Sequence, residues 1–406
     1  MRTHYDIVIA GGGMVGNTLA CALGDSPLRV ALIESQAAPV EALDDYDVRV
    51  SAITLASRAV FENIAAWEAM RTRRVSPLRE MHVWDAQGAG AIHFDAAELG
   101  EAELGYIIEN QAIVAATLER LRQFGNVNIR CPSAVSALHP ESAHVLVELE
   151  SGERLTAGLV VGADGAHSSI REWAGIRTRG WSYRQTAIVA TVKTVRPHLA
   201  CAYQVFLPTG PLAFLPLNDG LSSIVWSCDQ GRAEELLRLE DQAFKRELSA
   251  AFGDRLGAME SVSRRVGYPL SLAHSDHYIS ERIALVGDAA HRVHPLAGQG
   301  VNLGLLDAAS LAQVLLEAMA DKKDIGARTV LRRYERWRKG DNLAMLAVTD
   351  AFKRGFGSQR WPLVPLRNAG MRLADRLGPV KQLIMRHAVG LDGDLPELAR
   401  SARRWG

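Results

Sequence analysis

The stretch Ile7-Val8-Ile9-Ala10-Gly11-Gly12-Gly13-Met14-Val15-Gly16, running on into Asn17-Thr18-Leu19-Ala20-Cys21-Ala22-Leu23, decides the fold. A short apolar run gives way to a glycine turn and then to small residues of helical character, the order strand, turn, helix. Gly11, Gly13 and Gly16 stand in the spacing G-x-G-x-x-G. The first permits a tight turn, the second lets the backbone approach a pyrophosphate, and the third lets the helix pack closely on the strand. Met14 and Val15 open that helix, whose free N–H groups and positive dipole end face the phosphates. A glycine pattern alone is weak evidence. Here a second apolar run, Val30-Ala31-Leu32-Ile33, ends on Glu34, 18 residues after Gly16. A carboxylate at that place suits ribose hydroxyls and repels the 2′-phosphate of NADP. The stretch predicts a dinucleotide-binding βαβ unit.

The rest of the 406 residues allows a second domain. An apolar share of 48%, a charged share of 23% and zero formal net charge describe a globular chain without a broad basic footprint, so no nucleic-acid partner is expected. Cys21, Cys131, Cys201 and Cys228 are scattered, with no C-x-x-C pair, so neither a zinc site nor a disulfide framework is implied. The first residues show no transit or signal pattern, and no unbroken apolar run approaches bilayer length. A cytoplasmic protein is expected, with contact to the inner face of the membrane left open.

Residues 110–124 carry Ile113, Val114, Leu118 and Leu121 at helical spacing, and 144–149 and 155–161 read as strands about the turn Ser151-Gly152. Short β-prone runs at 187–195, 202–207, 213–216 and 222–227 precede a helix over 233–251. A strand at 283–286 leads to a long helix over about 301–320, and 328–406 is helical and rich in Arg. The expected architecture is α/β. A Rossmann-like dinucleotide domain is assembled from 1–75, 105–180 and 275–345, a sheet-based substrate domain comprises 76–104 and 181–274, and 346–406 forms a helical C-terminal region.

Two further motifs carry chemistry. Gly162-Ala163-Asp164-Gly165 follows Leu159-Val160-Val161 and continues to Ser168, Ser169 and Arg171. Asp164 could bind a ligand or only satisfy its own turn. Gly287-Asp288-Ala289-Ala290-His291 is followed by Pro295, Gly298, Gln299, Gly300, Val301 and Asn302. Asp288 ends a strand where it can accept from a ribitol hydroxyl, and the glycines precede a helix whose N-terminus can stabilise an electron-rich ring.

In this order and at these separations the motifs resemble the FAD-dependent aromatic hydroxylases related to para-hydroxybenzoate hydroxylase. The resemblance implies that Asp164 and Gly165 lie near the pyrophosphate, that Gly287 and Asp288 meet the ribitol, and that the 300–302 segment approaches the flavin. It also implies that Arg49 contacts FAD, with Asn110 or its neighbour Gln111 standing where relatives carry Arg or Gln. A narrower resemblance covers nearly the whole chain. The segments 47–53 (DVRVSAI), 105–110 (GYIIEN), 213–217 (AFLPL), 223–227 (SIVWS), 287–304 (GDAAHRVHPLAGQGVNLG) and 333–336 (RYER) are similar to the bacterial ubiquinone-biosynthesis hydroxylases.

That similarity implies oxidation of a polyprenylated phenol by O₂ through a flavin C4a-hydroperoxide, with NAD(P)H as reductant and ring position 5 or 6 as target. It also allows a ubiquinone-biosynthesis protein complex. A prenyl-chain reductase and a non-catalytic prenyl-binding escort protein of the same fold are the alternatives. No dedicated catalytic side chain is expected. His291, Pro295, Gly298 and Gln299 are flavin-proximal candidates, and no metal is expected because His291 and His294 lack a third ligand. Phe214 and Trp226 could wall the substrate pocket or belong to sheet core. Residues 352–390 alternate basic and apolar side chains. They suit either a helix lying on an anionic bilayer or a packed helical pair with a solvated basic face.

Overall fold

The computed structural model describes residues 3–37, 46–292, 300–357 and 363–400. Its centre is a parallel sheet in the order Ile283–Leu285, Arg154–Gly162, Thr3–Ala10, Val30–Ile33, Val127–Arg130. Every residue of Val30–Ile33 is buried, because a parallel sheet is covered on both faces and its strands read as unbroken apolar runs. The helices Met14–Ala22, Asn110–Leu121 and Gly300–Ala320 pack together on it.

Glycine sets how closely these helices approach. A Cβ on Gly16 would lie 1.8 Å from the Gly11 carbonyl oxygen, and one on Gly304 would lie 2.7 Å from Val15 Cγ2. The first and third nucleotide motifs, nearly 290 residues apart, are thus packed together by the Val15 side chain on the backbone of Gly304 and Gly287. Gly300–Ala320 is long and apolar enough to cross a membrane, a property that counting unbroken apolar runs passes over. Its faces are spent on the core instead, through Leu305, Ala308, Leu311, Val314 and Leu315.

A nine-stranded, mostly antiparallel sheet lies beside this unit. Its path runs His291–Arg292, Val266–Ser275, Thr178–Thr194, Leu221–Asp229, Gly210–Pro216, Cys201–Leu207, Glu80–Asp85, Ala91–Asp95. One face carries Ile188, Leu212, Phe214, Ile224 and Trp226 against Phe244, Leu248 and Phe252 of the covering helices. Two helices stand where one was expected over 233–251, namely Gln230–Arg238 and Asp241–Phe252. The break at Leu239 and Glu240 has a packing reason. An unbroken helix would carry Glu240 on the stripe of Leu236, Phe244 and Leu248, whereas the extended turn leaves it exposed.

A three-stranded sheet of Val50–Ile53, Gly105–Glu109 and Val75–Leu78 bridges the two units. Residues 76–104 therefore divide between this small sheet and the hairpin Glu80–Asp85/Ala91–Asp95, and the helix Arg328–Gly357 runs through residue 346 without interruption.

On the C-terminal helices Leu363–Arg376 and Gly378–Ala388, Arg372, Arg376 and Arg386 are solvated, but two of the basic side chains are not. Arg367 and Lys381 point inward, with side chains 9% and 8% exposed. Arg367 forks onto Asp85 at 2.6 and 3.1 Å, and Lys381 pairs with Glu98 at 2.6 Å. Asn368 donates to Asp85 and accepts from the Gly90 N–H. Burial pushes the Asp85 carboxyl up, but the guanidinium, the Gln87 N–H and the Asn368 amide together hold it below the usual carboxylate value. Asp85→Ala would leave the buried Arg367 guanidinium without the carboxylate it forks onto. The expected cost is about 3 kcal/mol, read from chemical denaturation of otherwise native protein. A loss below about 1 kcal/mol would mean that this ion pair does not fasten the helix.

Candidate active site

The glycine turn begins with Gly11 at φ +107°, where a Cβ would strike the Ala163 carbonyl at 2.3 Å. Gly13 is different. Its φ of −75° suits any residue, and a Cβ there would meet nothing within 4 Å. Met14–Ala22 starts on Gly13 with no side-chain cap, so its first N–H groups are free for phosphate. Gly13→Ala should therefore leave the fold intact while its methyl blocks close backbone approach. We expect unchanged apoprotein stability and an FAD affinity about tenfold or more weaker, measured by fluorescence titration. Equal losses in both would show that Gly13 serves the fold instead.

Glu34 ends its strand with both carboxylate oxygens held by backbone N–H groups, Oε2 by Gly12 and Oε1 by Gln36, each at 2.6 Å. The carboxylate is oriented before any ligand arrives. It borders a cavity of about 230 Å³ with Leu32, Val114, Leu118, Ile129 and Cys131. This apolar slot beside a ribose-type carboxylate is suited to an adenine. The sequence marked Val114 and Leu118 only as helix residues, since their convergence with Ile129 is made by strand order.

A larger cavity of about 400 Å³ lies between the two main sheets. Gly13, Met14 and Val15 line it from the first motif, Ala163 and Gly165 from the second, and Gly287, Asp288, Gly300 and Val301 from the third. Arg49 and Asn110 close it from the small sheet. Arg49 lies over the Tyr268 ring at 5.2 Å, and Asn110 Oδ1 accepts from the Ser51 hydroxyl at 2.7 Å. Asp288 is exposed in the protein alone and has no side-chain hydrogen bond among the described residues. Asp164 serves both of its sequence readings. Oδ2 accepts from the Ile170 N–H at 3.1 Å, while Oδ1 is buried without a partner. Arg171 ties the second motif to the third by donating to the Ala166 and Ala289 carbonyls. The uncapped helix start at Met14, an orphaned carboxylate oxygen and an open glycine cradle together fit a dinucleotide.

Five candidates lie elsewhere. Gln111 is exposed outside the cavity. Asn302 is buried, its amide donating to the Ala52 carbonyl and its oxygen accepting from the Thr54 N–H, so its side chain fixes the helix start. His291 is 2% exposed and makes a 2.5 Å contact with Asp307 behind the cavity wall. Phe214 and Trp226 face the covering helices, with Phe214 3.9 Å from Phe252 between ring centroids. His291 is thus absent from the cavity lining, and of the two readings open for Phe214 and Trp226 the structure shows sheet core. Pro295, Gly298, Gln299 and His294 lie outside the described residues.

The wall is built from the alternate positions of the same strands: Ala187, Val189, Gln204, Ala213, Leu215, Val225 and Ser227, joined by Tyr268, Leu270 and Arg292. A period of 2 separates the two faces of a strand. Both faces here are apolar, because one meets helices and the other a cavity, so periodicity cannot tell them apart.

Fold and site thus define a nucleotide-binding α/β unit whose three glycine motifs meet an antiparallel sheet across one cavity. A model of the FAD binding domain matches residues 4–347, and the chain belongs to this family. FAD is its cofactor. The ubiquinone hydroxylase UbiL of Rhodospirillum rubrum is 40% identical over 97% of this chain and 92% of its own length. The 3-demethoxyubiquinol 3-hydroxylase of Escherichia coli is 38% identical over 95% and 98%. The human mitochondrial ubiquinone biosynthesis monooxygenase COQ6 is 36% identical over 95% and 92%. The fold is shared with PqsL of Pseudomonas aeruginosa, a probable FAD-dependent monooxygenase (TM-score 0.78, 24% identity, 91% of this chain and all of that one). It is also shared with p-nitrophenol 4-monooxygenase PnpA of Pseudomonas putida (TM-score 0.79, 21% identity, 96% and 99%).

Proposed function

We propose that this FAD-dependent monooxygenase hydroxylates the aromatic ring of a polyprenylated phenol in ubiquinone biosynthesis, at ring position 5 or 6, using O₂ and NAD(P)H. The observation that carries the reading is the cavity itself. It brings all three FAD motifs against a wall of small apolar side chains with room for a ring. Bound FAD supplies the oxygen-activating redox chemistry. This chain's residues do the rest. The backbone around Gly13 and Gly165 holds the phosphates, and Asp288 is placed to accept from a ribitol hydroxyl. Ala187, Val189, Ala213, Leu215 and Val225 keep the reaction space dry. Arg49 and Arg292 bring positive charge beside it, which favours the phenolate over the phenol and raises the ring's electron density.

The test is turnover of purified enzyme with a short-chain phenol or quinol analogue under ¹⁸O₂. Labelled oxygen in the ring supports the assignment. Reduction of the prenyl chain without oxygen uptake would replace it with a reductase. Ala213→Phe separates the ring site from the cofactor site, because the phenyl group projects into the cavity. Retained FAD with turnover reduced about 100-fold or more is expected, and full activity would move the ring elsewhere.

A substrate with a polyprenyl tail resides in lipid, and we propose that the protein works on the inner face of the membrane through its C-terminal helices. Support comes from Leu366, Leu373, Leu377, Val380, Leu383 and Ile384, which are 41–66% exposed on this one helical pair. Arg372, Arg376 and Arg386 stand exposed among them, the pattern of an interfacial helix on anionic lipid. Flotation with phosphatidylglycerol vesicles, lost in Leu366→Ser/Leu383→Ser, is the expected result. Equal recovery of wild type and variant with the vesicles would discard this surface.

A further inference from the structure

The far edge of the nine-stranded sheet, distant in strand order from the nucleotide motifs, gathers three side chains that the monooxygenase reading does not use. In the hairpin Glu80–Asp85/Ala91–Asp95, His82 and His93 are directly opposed across the strands. Glu80 lies two residues before His82, and the strand period of 2 places it on the same face. Glu80 Oε2 is 2.9 Å from His93 Nε2 and 3.8 Å from His82 Nε2. The two imidazoles stack with centroids 4.1 Å apart and planes 12° apart. The ligand atoms of all three residues lie within 4.8 Å of one another.

We propose that Glu80, His82 and His93 form a site for a divalent transition metal of the zinc class. An imidazole lone pair lies in its ring plane, so the two rings must swing out of their stack to place one ion about 2.0–2.2 Å from each donor atom. The side chains are 36–42% exposed, which leaves the solvent side open for that movement. Two imidazoles and one carboxylate select zinc-like ions over Mg²⁺ and Ca²⁺, which require shells made almost wholly of oxygen. Three protein ligands leave at least one position for water.

The surroundings hold the strands that carry the ligands. The Tyr203 ring lies parallel to His82 at 5.7 Å, and the His93 backbone N–H donates to Asp375 of the overlying helix Leu363–Arg376. Asp375 adds negative charge near the pair, while Arg255 opposes it with positive charge. A bound ion clamps the two edge strands together under the helix that Asp85 also fastens. The site thus serves the anchoring of the C-terminal helices, not the flavin. The sequence concealed it, because His82 and His93 are 11 positions apart and join only through hairpin register.

The experiment is calorimetric titration of the FAD-loaded, full-length protein with ZnCl₂, and in parallel with MgCl₂. One equivalent of Zn²⁺ bound at micromolar concentration is expected, with no heat from Mg²⁺ and a higher melting temperature. His82→Ala, His93→Ala and Glu80→Gln should each weaken zinc binding about tenfold or more while FAD content stays at one per chain. His144→Ala, on a different hairpin, should leave it unchanged. Zinc binding of the same affinity in the three variants, or no binding at micromolar zinc, overturns the proposal.

Discussion

Asp307→Ala is expected to produce a protein that is strongly destabilised and retains little FAD. Asp307 is fully buried in the middle of Gly300–Ala320 and accepts four hydrogen bonds. Oδ2 takes the His291 imidazole at 2.5 Å and the Gly287 N–H at 3.2 Å. Oδ1 takes Arg338 Nε and the Asn342 amide, each at 3.0 Å. Removing the carboxylate leaves the Arg338 guanidinium, 2% exposed, with only the exposed Asp341 as counter-charge among the described residues. Breaking a buried pair from one side costs about 3–5 kcal/mol, a third or more of a typical domain's stability. The Gly287 N–H loses its acceptor as well, which frees the loop that presents Asp288 to the cofactor.

Burial pushes the Asp307 carboxyl up, but His291, Arg338 and Asn342 more than offset it and hold it down to about 2. A carboxyl depressed in the folded state contributes its stability above its ordinary value and loses it as pH falls towards about 2. The wild type should therefore show an acid limb in that window which Asp307→Ala flattens. Asp307→Asn keeps the shape and one acceptor oxygen but loses the charge and turns the other oxygen into a donor, and it should fall between the two. Equilibrium denaturation against pH, with flavin content by absorbance, decides the matter. An alanine variant with full flavin and a loss under about 1 kcal/mol would show that the network is incidental.

Gly16→Ala carries the second large effect, and it contrasts with Gly13→Ala three residues earlier. The new methyl would stand 1.8 Å from the Gly11 carbonyl oxygen and 3.2 Å from Ala163 Cβ. Both obstacles belong to rigid structure, one the turn itself and the other the adjacent strand end. The helix Met14–Ala22 must move outward, and it carries the phosphate-facing N–H groups with it. Overpacking of this kind costs about 1–3 kcal/mol, and displaced donors should weaken FAD at least about 100-fold, equivalent to about 2.7 kcal/mol. Gly16→Ala should thus lose both stability and cofactor, where Gly13→Ala loses cofactor alone. If both variants showed the same stability and the same FAD affinity, the close-packing role of Gly16 would be wrong.

How much of the site was legible depended on how local its physical requirement was. Glycines 11, 13 and 16, the carboxylate of Glu34 and the turns at 162–165 and 287–288 announce themselves, because a positive φ, a close backbone approach or a strand-ending acid restricts a position to few residue types. Asn302 and His291 stood inside such a motif, but the motif did not reveal that their side chains serve Thr54 and Asp307. Those partners come from other segments.

The sequence by itself determined the α/β class and the order of the nucleotide motifs, because backbone conformation and parallel-strand burial leave direct marks in residue type, and the resemblance those motifs carry implied FAD. Only the tertiary structure decided which face of the second sheet meets the cavity. It chose Ala213, Leu215, Val225 and Ser227 over Phe214 and Trp226. It also turned Arg367 and Lys381 inward and the leucines of the same helices outward. The reason is the same in both cases. A pattern of alternation or helical spacing records that an element has two faces, while which face is buried depends on Phe244, Phe252, Asp85 and Glu98, partners far away along the chain.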